Sequence, residues 1–302
     1  LLFIIFSDIL SRQEKIMNTQ NTMENIKNDE ISMVATDLDG TLLLQNKHIS
    51  KRTYAALKKA NENGVHIVIA TGRSFSALPE SIFKIDGVRY VVTSNGANIV
   101  DLKDEKVIYR NCIDAVQIPK IIDFLQERPY ILEVFTGGKA YMSKSDYDRF
   151  KTRTIDFRPI EYVLHTRIPV DNIFEFTQKN CSSIENININ FDKLSDKPKV
   201  HKELLKFDNI TVTTSFDFNL EIGGNTTSKG DALNFLTQML GLTSKNVLSI
   251  GDNPNDSSML DFAKIAVAVE NAHEDVLRLA DYTTSSNDED GVAKAIEKFV
   301  LS

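Results

Sequence analysis

Residues 31–302 predict a Rossmann-like α/β fold, a parallel sheet core interrupted by an inserted α+β module. Three observations carry this. Short apolar, β-branched runs alternate with amphipathic stretches at both ends of the chain, the order that gives parallel strands with helices on both faces. The middle of the chain breaks that order with strand-like runs that follow one another. Acidic and glycine-bearing segments recur directly after apolar runs, where open α/β sheets bind ligands.

The elements follow in order. "ISMVATD" is an apolar strand, and residues 50–63 form an amphipathic helix between a Ser50 N-cap and a stop at Gly64. "VHIVIAT" is the second strand. "SFSALPESIF" reads as a helix that Pro79 shortens or kinks. "YVVTSNGANIVD" is a strand that turns at Asn95-Gly96 and returns. Within 113–216 come a helix ("VQIPKIIDFLQER"), a hairpin about Gly137-Gly138 and a β-rich run ("SSIENININFD"). A further helix ("DKPKVHKELLKF") and the strands of "ITVTTSFDFNLEI" complete the module. The last third returns to alternation: helix "TSKGDALNFLTQMLG", strand "NVLSIGD", helix "PNDSSMLDFA", strand "IAVAVEN", helix "AHEDVLRLA", strand "YTTSS" and closing helix "DEDGVAKAIEKFVL". The division is thus 31–112 and 217–302 for the sheet core, with 113–216 inserted.

At 302 residues, 42% hydrophobic and 25% charged, the chain has the composition of a globular protein with a sizeable core. A net charge of -7 without a basic block argues against nucleic acid and anionic membranes as partners. Cys112 and Cys181 stand far apart with no CxxC, as expected of free thiols in a reducing cytoplasm. The five histidines are scattered and suggest no metal site. "LLFIIF" at the start is too short to span a bilayer and lacks the features of a secretory signal. Residues 1–30 are expected to be a disordered or misassigned leader, with the true start at Met17, Met23 or Met33.

The chemistry gathers at predicted strand ends. "VATDLDGT" puts Asp37 and Asp39 after the first strand, "IATGR" puts Thr71, Gly72 and Arg73 after the second, and "SIGDNPND" puts Asp252, Asn255 and Asp256 after a later one. Lys229 opens a helix in "TSKG", where the dipole disfavours a cation unless an anion binds there. Carboxylates crowded into one pocket repel, and a divalent cation relieves the conflict; hard oxygen donors suit Mg²⁺. Thr71, backbone amides and Lys229 would then hold phosphoryl oxygens. A paired carboxylate could attack phosphorus while its neighbour moves protons at another atom. Arg73 has two open readings: it reaches a substrate, or it pairs with a surface acid.

"DLDGT", "ATG", "SKG" and "GDNPND", in this order and spacing, resemble the four motifs of the haloacid dehalogenase superfamily, and the tail and insert resemble its Cof-type, type IIB branch. The resemblance spans residues 31–302. It implies a Mg²⁺-dependent phosphatase with Asp37 as nucleophile and metal ligand. Asp39 becomes the acid/base, binding metal through its carbonyl, and Asp252 the third protein ligand. Leu38, Thr71, Gly72, Lys229 and Asn255 become phosphate contacts, and Asp256 a support behind them. The insert becomes a cap that selects among small phosphorylated metabolites, with sugar phosphates expected. Asn253-Pro254 and Glu270 depart from the branch's usual loop residues without removing a reacting group. A phosphomutase and a noncatalytic phospho-metabolite-binding regulator remain alternatives, and oligomeric state is not readable.

Overall fold

The computed structural model describes residues 31–152 and 158–302. The leader, with Met17 and Met23, lies outside the described residues. In chain order the strands begin with β1 (Met33–Thr36), β2 (His66–Ala70), β3 (Val88–Thr93), β4 (Asn98–Asp101) and β5 (Lys106–Arg110). There follow β6 (Ile131–Thr136), β7 (Lys139–Ser143), β8 (Arg167–Val170), β9 (Ile184–Asn190), β10 (Thr211–Thr213) and β11 (Asn219–Gly223). The chain closes with β12 (Val247–Gly251), β13 (Ile265–Ala268) and β14 (Tyr282–Thr283). The first sheet runs β14-β13-β12-β1-β2-β3-β4-β5 and the second β10-β11-β9-β6-β7-β8. From β14 to β3 all pairs are parallel, and β4 and β5 add an antiparallel edge.

The alternation of side chains along β1 explains the two helical layers. Val34 joins one apolar cluster with Leu57, Ala60, Ile296 and Phe299 from helices α1 (Lys51–Glu62) and Gly291–Phe299. Met33 and Ala35 point the other way, to Leu233, Leu236 and Met259 from helices Lys229–Met239 and Ser257–Phe262. Ser50 caps α1, its hydroxyl accepting from the Thr53 amide at 3.0 Å. Because the chain leaves β1 toward β2 on one side and later pairs β12 on the other, the crevice between β1 and β12 is the switch point of the sheet.

Two parts of the sequence expectation change. Residues 74–84 form no α-helix but two 3₁₀ turns, Phe75–Ala77 and Ile82–Lys84. Pro79 lacks an amide hydrogen and forces Leu78 into extended backbone, at φ -69° and ψ 136°, which ends the first turn. Inside the insert, helices Lys144–Lys151, Ile160–Thr166 and Ile173–Lys179 and strand β8 were not legible. The first of these buries only Phe150, so it carries no apolar stripe to read. Strand β11 pairs with β9, so the second sheet continues past residue 216 to Gly223.

The second sheet is apolar on one face and polar on the other. Leu132, Val134, Ile187, Ile189, Leu220 and Ile222 pack beneath helices Ile118–Leu125 and Lys197–Leu204. The alternate positions Glu133, Asn188 and Glu221 are nonetheless buried. They are covered because that face lies over the strand ends of the first sheet, where it walls a cavity of about 560 Å³.

Candidate active site

Asp37 follows β1, its amide donating to the Ile250 carbonyl of β12 at 2.9 Å, so strand pairing itself sets the carboxylate at the switch point. The chain then turns at Gly40, whose φ is +84°. A Cβ there would stand 2.5 Å from Asp252 Oδ2, so the turn needs glycine for both conformation and space. Asn271 Nδ2 steadies the turn from the Gly40 carbonyl at 2.8 Å.

Carboxylate oxygens of Asp37, Asp252 and Asp256 lie within 4.8 Å of one another, all buried. Lys229 Nζ, fully buried, donates to Asp37 Oδ1 at 2.5 Å and Asp256 Oδ1 at 2.6 Å. These carboxylates supply the negative charge that a lysine at a helix N-terminus requires. Burial raises the Asp37 pKa to about 7 against the pull of Lys229, with Asp256 adding to the rise. Burial raises Asp252 to about 9, helped by the charges of Asp37 and Asp256. Thr41 Oγ1 donates to Asp252 Oδ1 at 2.8 Å and Asn253 Nδ2 to Oδ2 at 2.7 Å.

The donor set fits a divalent cation. One lysine does not balance three buried carboxylates, and the group is made of hard oxygens at a sheet edge. Asp256 is already committed, since its Oδ1 meets Lys229 and its Oδ2 accepts from the amides of Asp252 and Asn253 at 2.9 and 3.0 Å. Asp256 thus accepts three hydrogen bonds against two for Asp252 and one for Asp37, so Asp37 and Asp252 keep more of the coordinating capacity, and Asp256 orients the loop and the lysine.

Asp39 sits apart from this cluster. Arg73 grips it with Nε to Oδ2 at 2.6 Å and Nη2 to Oδ1 at 2.7 Å, and Lys47 Nζ approaches Oδ1 at 3.2 Å. Burial opposes ionisation of Asp39, but the hydrogen bonds and charge of Arg73 outweigh it and hold its pKa below the usual range. Arg73 thus pairs with an acid inside the cavity, where sequence left a surface acid open. Its guanidinium also lies 5.0 Å from the ring of Tyr162, which comes from the helix Ile160–Thr166 beside the second sheet.

The cavity brings together Asp37, Asp39, Thr71, Gly72, Arg73 and Asn255 with Phe135, Tyr162, Arg158, Arg167, Asn188, Phe216 and Glu221. Leu38, Lys229, Asp252 and Asp256 stand behind that wall, all buried. The β6–β7 hairpin reaches the cavity through Phe135, while the Gly137-Gly138 turn at its tip lines a separate cleft of about 530 Å³ and the Gly138 carbonyl accepts from the Ser76 amide at 2.8 Å. The sequence reading missed every cavity residue from the second sheet. A signal existed: in "IENININ" and "NLEIG" the positions alternating with isoleucine and leucine are asparagine and glutamate, so a strand buried on both faces must have a polar one.

Residues 34–296 match the family model described as haloacid dehalogenase-like hydrolase. A relative called phosphatase YwpJ, from Bacillus subtilis, is 30% identical over 281 residues, covering 87% of this chain and 98% of its own. A 5-amino-6-(5-phospho-D-ribitylamino)uracil phosphatase, YcsE, from the same organism is 29% identical over 274 residues, covering 90% and 97%. The solved structure of a haloacid dehalogenase-like hydrolase from B. subtilis superposes with a TM-score of 0.76 at 28% identity, over 88% of this chain and 99% of that one. The chain belongs to the haloacid dehalogenase-like hydrolases. Within that family it is a phosphatase, a hydrolase of phosphoric monoesters. Among the described residues no helix is long and apolar enough to cross a membrane.

Proposed function

We propose that the chain is a Mg²⁺-dependent phosphatase of small cytoplasmic phosphate monoesters, sugar phosphates in particular, working through an aspartyl-phosphate on Asp37. The observation that carries this is the opposite treatment of two aspartates two positions apart. Asp37 stands against Lys229 beside other carboxylates, and Asp39 faces the cavity in the grip of Arg73. When bound by Asp37, the Asp39 carbonyl and Asp252, Mg²⁺ would offset charge on the phosphoryl oxygens as the nucleophile approaches.

The chain's own residues account for the rest. Lys229 occupies Asp37 Oδ1, which leaves Oδ2 to attack phosphorus. Leu38 and Gly72 backbone amides, the Thr71 hydroxyl and Asn255 hold the phosphoryl oxygens, with Lys229 positioning the nucleophile from behind. The phosphorus–oxygen bond to the leaving group breaks as a protonated Asp39 gives its proton to that oxygen. Asp39 then takes a proton from water, whose oxygen attacks the aspartyl-phosphate, freeing orthophosphate and Asp37. The contact with Arg73 favours the ionised Asp39, the form that accepts the proton; the donating form requires that grip to loosen. The six-stranded unit serves as a cap, excluding water and choosing the leaving group.

A second substrate reading has its own support. Phe216 and Phe218 stack at 5.1 Å with planes 5° apart, and both line the cavity with Phe135 and Tyr162. An aromatic shelf beside polar groups suits a leaving group that joins a polyol to a planar ring, and the relative YcsE is named for such a compound. The test is phosphate release across sugar phosphates, nucleotides, flavin mononucleotide, pyridoxal phosphate and 5-amino-6-(5-phospho-D-ribitylamino)uracil, with and without Mg²⁺. Fast, Mg²⁺-dependent release from one class supports the reading. Uniformly slow turnover, or interconversion of a sugar phosphate without orthophosphate release, defeats it.

A further inference from the structure

Asn95 lies in the turn between β3 and β4, which the sequence marked as an ordinary Asn-Gly turn. Its backbone is left-handed, at φ 56° and ψ 30°, and its amide donates to the Thr71 carbonyl at 3.1 Å. Only 4% of it is exposed. Its side chain joins two residues that line the cavity from different sheets. Asn95 Nδ2 donates to Glu221 Oε2 on β11 at 2.8 Å, and Asn95 Oδ1 accepts from Asn255 Nδ2 at 3.0 Å. Gly72 lies against the same amide, since a Cβ there would stand 3.0 Å from Asn95 Oδ1.

The chemistry of this chain of contacts gives it a direction. Glu221 Oε2 already receives Ser215 Oγ at 2.7 Å, so it is an acceptor. Asn95 must turn its NH₂ toward it. Its carbonyl oxygen then faces Asn255, which must in turn present its own NH₂. One Asn255 N–H is used by Asn95, and the second remains on the amide at the cavity wall. An inverted Asn255 would set a carbonyl oxygen against the Asn95 oxygen, an unfavourable contact in a buried place. Glu221 also lines the cavity, and its Oε1 has no protein partner among the described residues, which leaves it free to accept from a leaving-group hydroxyl.

We propose that Asn95 and Glu221 are positioning residues, a hydrogen-bond relay through which the second sheet fixes the donor face of Asn255 toward the phosphoryl group. This rests on the proposed phosphate contact of Asn255. It ties leaving-group recognition by Glu221 to the grip on phosphate through one buried amide.

The probe is orthophosphate, which has no leaving group, measured by calorimetry and as a competitive inhibitor of p-nitrophenyl phosphate hydrolysis. Asn95→Gly keeps access to left-handed backbone while deleting the side chain. It and Asn255→Ala should each weaken orthophosphate binding and lower kcat/KM about tenfold or more, the scale of one charge-assisted hydrogen bond. The double variant should be no worse than Asn255→Ala alone. Glu221→Ala should weaken orthophosphate severalfold, whereas loss of a negative charge acting only through space would tighten it. The relay is overturned by wild-type behaviour of Asn95→Gly, by losses that multiply in the double variant, or by tighter orthophosphate binding in Glu221→Ala. Calorimetry separates this from the proposed function. Wild-type protein that binds orthophosphate but hydrolyses nothing sinks the catalytic reading alone and leaves the relay to the variants.

Discussion

Glu133 offers a quantitative test of how the cavity wall is held together. It is 1% exposed in the side chain and lies between Arg158 and Arg167, with contacts at 3.0 and 2.9 Å, while Asn188 Nδ2 donates to Oε2 at 2.6 Å. Burial opposes its ionisation, but Arg158, Arg167 and Asn188 together lower its pKa from 4.5 to about 2. At roughly 1.4 kcal/mol per tenfold, that drop corresponds to about 3 kcal/mol of stability at neutral pH. Breaking a buried ion pair from one side costs about 3–5 kcal/mol, a consistent scale. Glu133→Gln keeps the shape and strands two guanidinium groups.

The sign follows from linkage. The folded-state pKa is depressed, so the contribution is complete above about 4.5 and is lost as pH falls toward about 2. Urea unfolding of wild type and Glu133→Gln at a series of pH values reads it directly. The expected difference is about 3 kcal/mol at pH 7, and it shrinks steadily below pH 4.5. A difference under about 1 kcal/mol at pH 7, the scale of an exposed pair, would refute the reasoning. So would a difference that does not change with acid.

Other expectations concern the reacting groups. Asp37→Asn and Asp39→Asn should each abolish phosphate release from p-nitrophenyl phosphate while the thermal transition remains cooperative; activity surviving in Asp37→Asn would overturn the nucleophile. EDTA should inactivate the enzyme and Mg²⁺ restore it, and indifference to chelation would reject the metal. Gly40→Ala must bring a Cβ to within 2.5 Å of Asp252 Oδ2 at a φ of +84°. It should cost about 1 kcal/mol or more in stability and most of the turnover, measured by urea unfolding and initial rates. A fully active, equally stable variant would show that the turn does not determine where Asp252 stands.

Asp37, Thr71 and Asp252 were legible because each directly follows a parallel strand, and the order of strands and helices sends those ends to one edge. Lys229 was legible as a cation in a place that demands anions, although the anions proved to be protein carboxylates. The helices of 144–179 were not, because they are short and bury few apolar positions. The turns at 74–84 were read as one helix that Pro79 shortens or kinks, whereas the extended backbone before Pro79 ends the first turn outright. Arg73 could not be resolved from sequence, since its partner Asp39 lies 34 positions away and Tyr162 comes from beside another sheet.

By itself, then, the sequence determined the class of chemistry. Strand ends are local features of the α/β pattern, and paired aspartates, a lysine and clustered acids at such ends point to phosphate chemistry. Tertiary structure alone decided which residues wall the cavity opposite the strand ends. Phe135, Asn188 and Glu221 become cavity residues, and Glu133 the support behind Arg158 and Arg167, only when the polar face of the second sheet lies over the switch point of the first. That docking joins groups far apart in the chain, such as Asn95 and Glu221, and no local periodicity encodes it.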